Sequence, residues 1–77
     1  MPRHHDDCLT WFGRRVRLLR QQLSLSQEEL AQRAGIDRTY VGGVERGERN
    51  LSLLNVNRLA DALGVTARDL LDDDFEL

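Results

Sequence analysis

An all-α domain of five short helices is what this chain predicts, on two observations. Apolar residues recur at helical spacing in segment after segment, and each segment is bracketed by residues suited to start and to stop a helix. The densest signals lie between Ser26 and Gly47, where two short helices flank a turn of about four residues containing a glycine, the spacing of a helix-turn-helix.

The first helix is expected from about Leu9 to Leu23. Phe12, Val16, Leu19 and Leu23 step by four, three and four, a core stripe. Trp11 and Leu18 lie on a neighbouring flank as core margin or interface. Arg14, Arg15, Arg17 and Arg20 make the helix basic, which reads as a solvated face, with phosphate contact as the alternative. Residues 1–8 precede it as a flexible, polar arm. His4, His5, Asp6, Asp7 and Cys8 are metal-binding types, but a polar terminus lacks the pre-organisation a site needs, so no metal is expected.

Ser26 can cap the second helix while Glu29, three residues on, reaches back to the Ser26 N–H, a capping box. Leu30, Ala31 and Ala34 share its inner face and Gly35 ends it. Ile36 is a small apolar plug, and Asp37 caps the third helix, which carries Val41 and Val44 inward and finishes at Gly47. At its start stand Arg38, Thr39 and Tyr40, all able to hydrogen-bond and none obliged to be buried. The N-terminal residues of such a helix are the ones that read base edges in a major groove. The same corner also occurs in bundles that never touch DNA.

Ser52 caps the fourth helix, which runs to about Leu63 and is stopped by Gly64. Leu53, Val56, Leu59, Ala60 and Leu63 form its inner stripe; Asn55, Arg58 and Asp61 face water, and Leu54 falls off the stripe. Thr66, with Asp69 three on, caps a fifth helix whose Leu70 and Leu71 point back to the body. Residues 72–77 are an acidic tail, read as a solvated end. The domain proper is thus 9–71.

Seventy-seven residues hold one domain. A chain this short buries only about 60–65% of its unfolded surface, so self-association is the expected source of extra stability. A single cysteine, Cys8, excludes an internal disulfide. No signal peptide and no membrane-length apolar run is present, so a cytoplasmic protein is expected. The net charge of −2 conceals an asymmetry. Residues 1–50 hold nine Arg against seven acids, and residues 51–77 two Arg against six. Phosphate affinity follows local basic groups, so the net charge does not exclude nucleic acid. Enzymatic activity is not expected: the histidines sit in the arm, no nucleophile–base pair can be placed, and there is no phosphate loop.

Three segments carry a family resemblance: S-Q-E-E-L-A, the turn A-G-I-D, and R-T-Y-V-G-G-V-E-R-G-E-R-N. From about Phe12 to Leu71 the chain resembles the Xre/Cro, lambda-repressor-like DNA-binding domains, and its second half is most similar to the controller proteins of restriction–modification systems. The resemblance implies a five-helix lambda-repressor-like fold with a helix-turn-helix. It also implies a transcriptional regulator that binds double-stranded operator DNA as a homodimer on a palindromic site, without a cofactor, with RNA polymerase a further candidate contact. It pairs Arg20 with Glu45 as a structural clamp and makes Gln27 a phosphate anchor, a position where the first free N–H groups of a helix already favour an anion.

For base contact the candidates are Arg38, which can fork onto guanine, Thr39, Tyr40 and Gly43. For phosphate they are Gln27, Tyr40, Arg46, Arg49 and Asn50. Gly42 and Gly43 depart from many relatives, implying either close backbone approach to the groove or lost base contacts. Leu54, Val65, Leu70, Leu71 and Phe75 are the candidate dimer surface. Two rival readings are an antitoxin whose main partner is a toxin protein, and a domain of this fold that only mediates protein association.

Overall fold

Five helices follow in order: α1 (His5–Gln22), α2 (Gln27–Ala34), α3 (Arg38–Glu45), α4 (Leu53–Leu63) and α5 (Ala67–Leu71). The computed structural model describes the backbone of residues 5–72 and the side chains of residues 8–72, and among these there is no strand. Four of the starts are built as the local chemistry demands. Ser26 Oγ accepts from the Glu29 N–H at 3.0 Å while Glu29 Oε1 accepts from the Ser26 N–H at 2.9 Å. Asp37, Ser52 and Thr66 cap α3, α4 and α5 through their own side chains. Gly35 and Gly64 close α2 and α4 at φ 69° and 74°, a left-handed conformation that a Cβ would strain.

The core joins Phe12, Val16 and Leu19 of α1 to Leu30 of α2, Val41 and Val44 of α3, Leu59 and Leu63 of α4 and Leu70 of α5. Helices α1 and α3 approach one another closely at Gly13. A Cβ on Gly13 would overlap the Val44 carbonyl oxygen and lie 2.8 Å from that of Glu45, so only glycine lets the two backbones meet there. Just beyond, Gly47 turns the chain at φ 74° hard against Thr10. The C-terminal end of α3 is therefore seated on the first half of α1.

Several expectations need correction. His5–Cys8, expected in a flexible arm, belong to α1; residues 1–4 lie outside the described residues. Leu23 is 46% exposed rather than core, because α1 stops at Gln22 and the chain turns, bringing Leu25 inward instead (6% exposed). Leu53, expected in the α4 stripe, is 76% exposed: it is the first residue of the helix, one turn short of the packed segment that begins at Val56. Leu70 points inward and is fully buried, whereas Leu71 is half exposed. Arg15, expected on a solvated face, is buried.

Candidate nucleic-acid interface

The N-terminus of α3 is presented to solvent and held there by its cap. Asp37 Oδ1 accepts from the Thr39 N–H at 2.8 Å and from the Thr39 hydroxyl at 2.6 Å. These bonds, the hydroxyl's first, hold the Asp37 carboxyl below its ordinary value, with Arg38 and Arg49 adding to the effect. Thr39 is exposed. With its proton given to Asp37, it offers outward only a methyl group and the remaining oxygen lone pairs. Arg38, beside it, is exposed and can extend its planar fork of donors.

The other end of α3 is clasped. Arg20 Nε and Nη2 donate to Glu45 Oε2 and Oε1 at 2.6 and 3.0 Å, a two-pronged ion pair, and Arg20 Nη1 donates to the Leu25 carbonyl at 2.8 Å. The Glu45 hydrogen bond raises the Arg20 guanidinium above its ordinary value against the opposing effect of burial. Gln27 Nε2 adds a third bond to Glu45 Oε1 at 3.1 Å. The amide proposed for a phosphate thus already ties the start of α2 to the end of α3, the two helices flanking the turn.

Between these ends, the second turn of α3 is covered by arginine. A Cβ on Gly43 would lie 2.7 Å from Arg49 Cγ and 2.8 Å from Arg49 Nε, and one on Gly42 would lie 3.1 Å from Arg46 Nη1. Both glycines are buried. The space a side chain at Gly43 would take holds Arg49. Arg49 also stacks over Tyr40, its guanidinium carbon 5.7 Å from the ring centroid. The Tyr40 hydroxyl donates to the Asn50 carbonyl at 3.2 Å. Arg46 pairs with Glu48 at 3.0 Å, both well exposed. Arg38, Thr39, Arg46, Arg49 and Asn50 therefore form one exposed band along α3 and the loop after it.

Leu70, a candidate dimer residue, is core, and Phe75 lies outside the described residues. Leu54 and Leu71 are 57% and 50% exposed and Val65 is half-buried. Arg15 was missed by sequence reasoning. Its Nη2 donates to the Asp69 carbonyl in the middle of α5 at 3.1 Å, and its guanidinium lies 5.1 Å over the Trp11 ring. The i,i+4 spacing of Trp11 and Arg15 was the one local signal. Cys8 is exposed, and the other metal-binding types of the N-terminus lie outside the described side chains. Among the described residues, no helix is long and apolar enough to cross a membrane.

Two capped helices around a glycine turn, the second exposed at its N-terminus, define the class, and the helix-turn-helix family model matches residues 16–70. The chain belongs to that family. Within it, the chain is a transcriptional regulator of the Xre, lambda-repressor-like type, homologous to the controller proteins of restriction–modification systems. Control protein C.BamHI of Bacillus amyloliquefaciens is 48% identical over 62 residues, 79% of this chain and 76% of its own. The crystal structure of controller protein C.AhdI from Aeromonas hydrophila superposes with a TM-score of 0.79 at 56% identity, covering 80% of this chain and 94% of that one. The C.Esp1396I controller tetramer, solved in complex with its natural 35 base-pair operator, superposes with a TM-score of 0.73 at 30% identity, covering 77% and 78%. These relatives are DNA-binding regulators rather than enzymes, and the antitoxin alternative draws no support from them.

Proposed function

We propose that this chain binds a palindromic operator as a homodimer and controls transcription in the manner of a restriction–modification controller. The observation that carries the reading is the exposed band of Arg38, Thr39, Arg46, Arg49 and Asn50 on a helix pinned at both ends. Arg38 and Thr39 read bases in the first turn of α3, Thr39 through its methyl and lone pairs. Arg49, laid over Gly43, occupies the second turn in place of a local side chain. Arg46, Asn50 and Tyr40 position the phosphate strand, and Gln27 does so while bonded to Glu45. Leu54, Val65 and Leu71 supply the dimer contact. Two-fold symmetry then sets the paired α3 helices about 34 Å apart, one turn of B-DNA. Operator binding by the C.Esp1396I controller supports this reading. RNA polymerase is a finer proposal, tested by transcription in vitro from a promoter bearing the operator.

The test is fluorescence anisotropy on an inverted repeat selected from random sequence. With three arginines per subunit displacing counterions, log K should fall against log salt with a slope of about −5. Arg38→Ala should weaken specific binding about 5- to 150-fold, the loss of about 1–3 kcal/mol of base discrimination. A slope near zero, or unchanged affinity in Arg38→Ala, refutes the proposal.

A further inference from the structure

A threonine hydroxyl ordinarily turns to suit its surroundings, donating or accepting as the neighbour requires. At Thr39 that freedom is gone. Its hydroxyl lies 2.6 Å from Asp37 Oδ1, which also accepts the Thr39 N–H at 2.8 Å. An ionised carboxylate only accepts, so the hydroxyl proton lies between the two oxygens. The two bonds favour the charged carboxylate and keep the Asp37 carboxyl below its ordinary value. At neutral pH, Thr39 is therefore exposed on the first turn of α3 as an acceptor only. The arrangement is particular to this cap. Ser26, Ser52 and Thr66 accept from the N–H three residues on, at 3.0, 3.1 and 3.0 Å. Asp37 accepts from the residue two on, which brings its carboxylate against the Thr39 side chain.

Base edges in the major groove divide on the same property. Adenine and cytosine carry an exocyclic amine, a donor, whereas guanine N7 and O6 and thymine O4 are acceptors. An oxygen that can only accept bonds the amine and leaves a facing acceptor without a partner. Resting on the proposal above that Thr39 faces a base, we infer that Asp37 is a specificity-determining positioning residue. By holding the Thr39 hydroxyl proton, it restricts the base facing Thr39 to adenine or cytosine and excludes guanine and thymine. Asp37 acts through Thr39 and itself touches no base.

The test is selection of operators from random sequence by the full chain as wild type, Thr39→Val and Asp37→Ser. Thr39→Val keeps the side-chain shape and the N–H that Asp37 caps, but removes the oxygen. The position whose preference disappears in Thr39→Val is the one Thr39 faces. There the wild type should choose adenine or cytosine over guanine by about 5- to 150-fold. Asp37→Ser keeps a cap on α3, through the Tyr40 N–H as Ser52 caps through Asn55, and frees the Thr39 hydroxyl to donate. At that one position its discrimination should fall several-fold, while the guanine chosen through Arg38 persists. A cap that served stability alone would change the affinity for all operators alike. Replacing the selected base by an analogue without the amine, purine or 2-pyrimidinone deoxyriboside, should cost the wild type about fivefold more than it costs Thr39→Val. Guanine or thymine chosen by the wild type, no preference lost in Thr39→Val, or an unchanged preference in Asp37→Ser overturns the inference. Operator binding itself is refuted separately, by the salt slope and Arg38→Ala.

Discussion

Glu45→Gln is the sharpest perturbation of the clasp on α3. Gln keeps the shape of Glu but replaces one carboxylate oxygen with an NH2 group. If its oxygen takes the Oε1 position, it retains the bonds from Arg20 Nη2 and Gln27, while the NH2 meets the Arg20 Nε–H donor that now sits 2.6 Å from Oε2. Two donors then face each other, and the guanidinium loses its counter-charge at a side chain only 12% exposed. Breaking a buried pair from one side costs about 3–5 kcal/mol. Arg20 keeps its bond to the Leu25 carbonyl, which puts the cost at the low end, about 3 kcal/mol. A domain of this length has about 4–12 kcal/mol in all. At about 4–8 °C per kcal/mol, the melting temperature should drop by about 12–24 °C. The assay is thermal and urea denaturation followed by circular dichroism, at one fixed protein concentration because dimerisation shifts the midpoint. A loss below about 1 kcal/mol, the scale of an exposed pair, with an unchanged urea m-value, would refute the claim that this pair seats the recognition helix.

Three further outcomes follow from particular distances. Gly13→Ala forces α1 away from the carbonyls of Val44 and Glu45 and should cost about 1–3 kcal/mol or more, read from the same urea titration; a neutral substitution would show that the crossing is not tight. Gly43→Ala should separate stability from binding. Alanine favours the helix by about 1 kcal/mol, yet its Cβ displaces Arg49, so the melting point should hold or rise while operator affinity measured by anisotropy falls. Asp37 should titrate below its ordinary value of 3.8 in a carboxyl-detected NMR experiment. Because the folded-state value is depressed, its contribution is complete at neutral pH and is lost as the pH falls below 3.8 through the folded value. A midpoint above 3.8 would contradict the cap geometry.

The helices and the turn between α2 and α3 were legible in the chain because their determinants are local. A cap needs an oxygen two or three residues from the N–H it accepts, as Asp37 has with Thr39 and Ser26 with Glu29, and such spacings are written in the order of residues. The Arg20–Glu45 partnership, 25 residues apart, was reached only through family resemblance, since nothing local joins the two. Crossing geometry lay beyond both routes. Which of Leu23 and Leu25 turns inward depends on where α1 yields to the turn, and the burial of Arg15 depends on α5 packing against α1, where the Asp69 carbonyl accepts from its guanidinium. Gly13 reads as an unremarkable helical glycine until α3 is laid across it. The sequence left the choice at Gly42 and Gly43 open, and nothing local announced that two side chains from just beyond the helix, Arg46 and Arg49, lie within 3.1 and 2.7 Å of where a Cβ on each would stand. Local hydrogen bonding and apolar spacing determined which segments are helices and which end of α3 is offered outward. Only the packing of those helices against one another decided what covers the rest of it, because a side chain's neighbours across a helix crossing are set by three-dimensional distance and not by position along the chain.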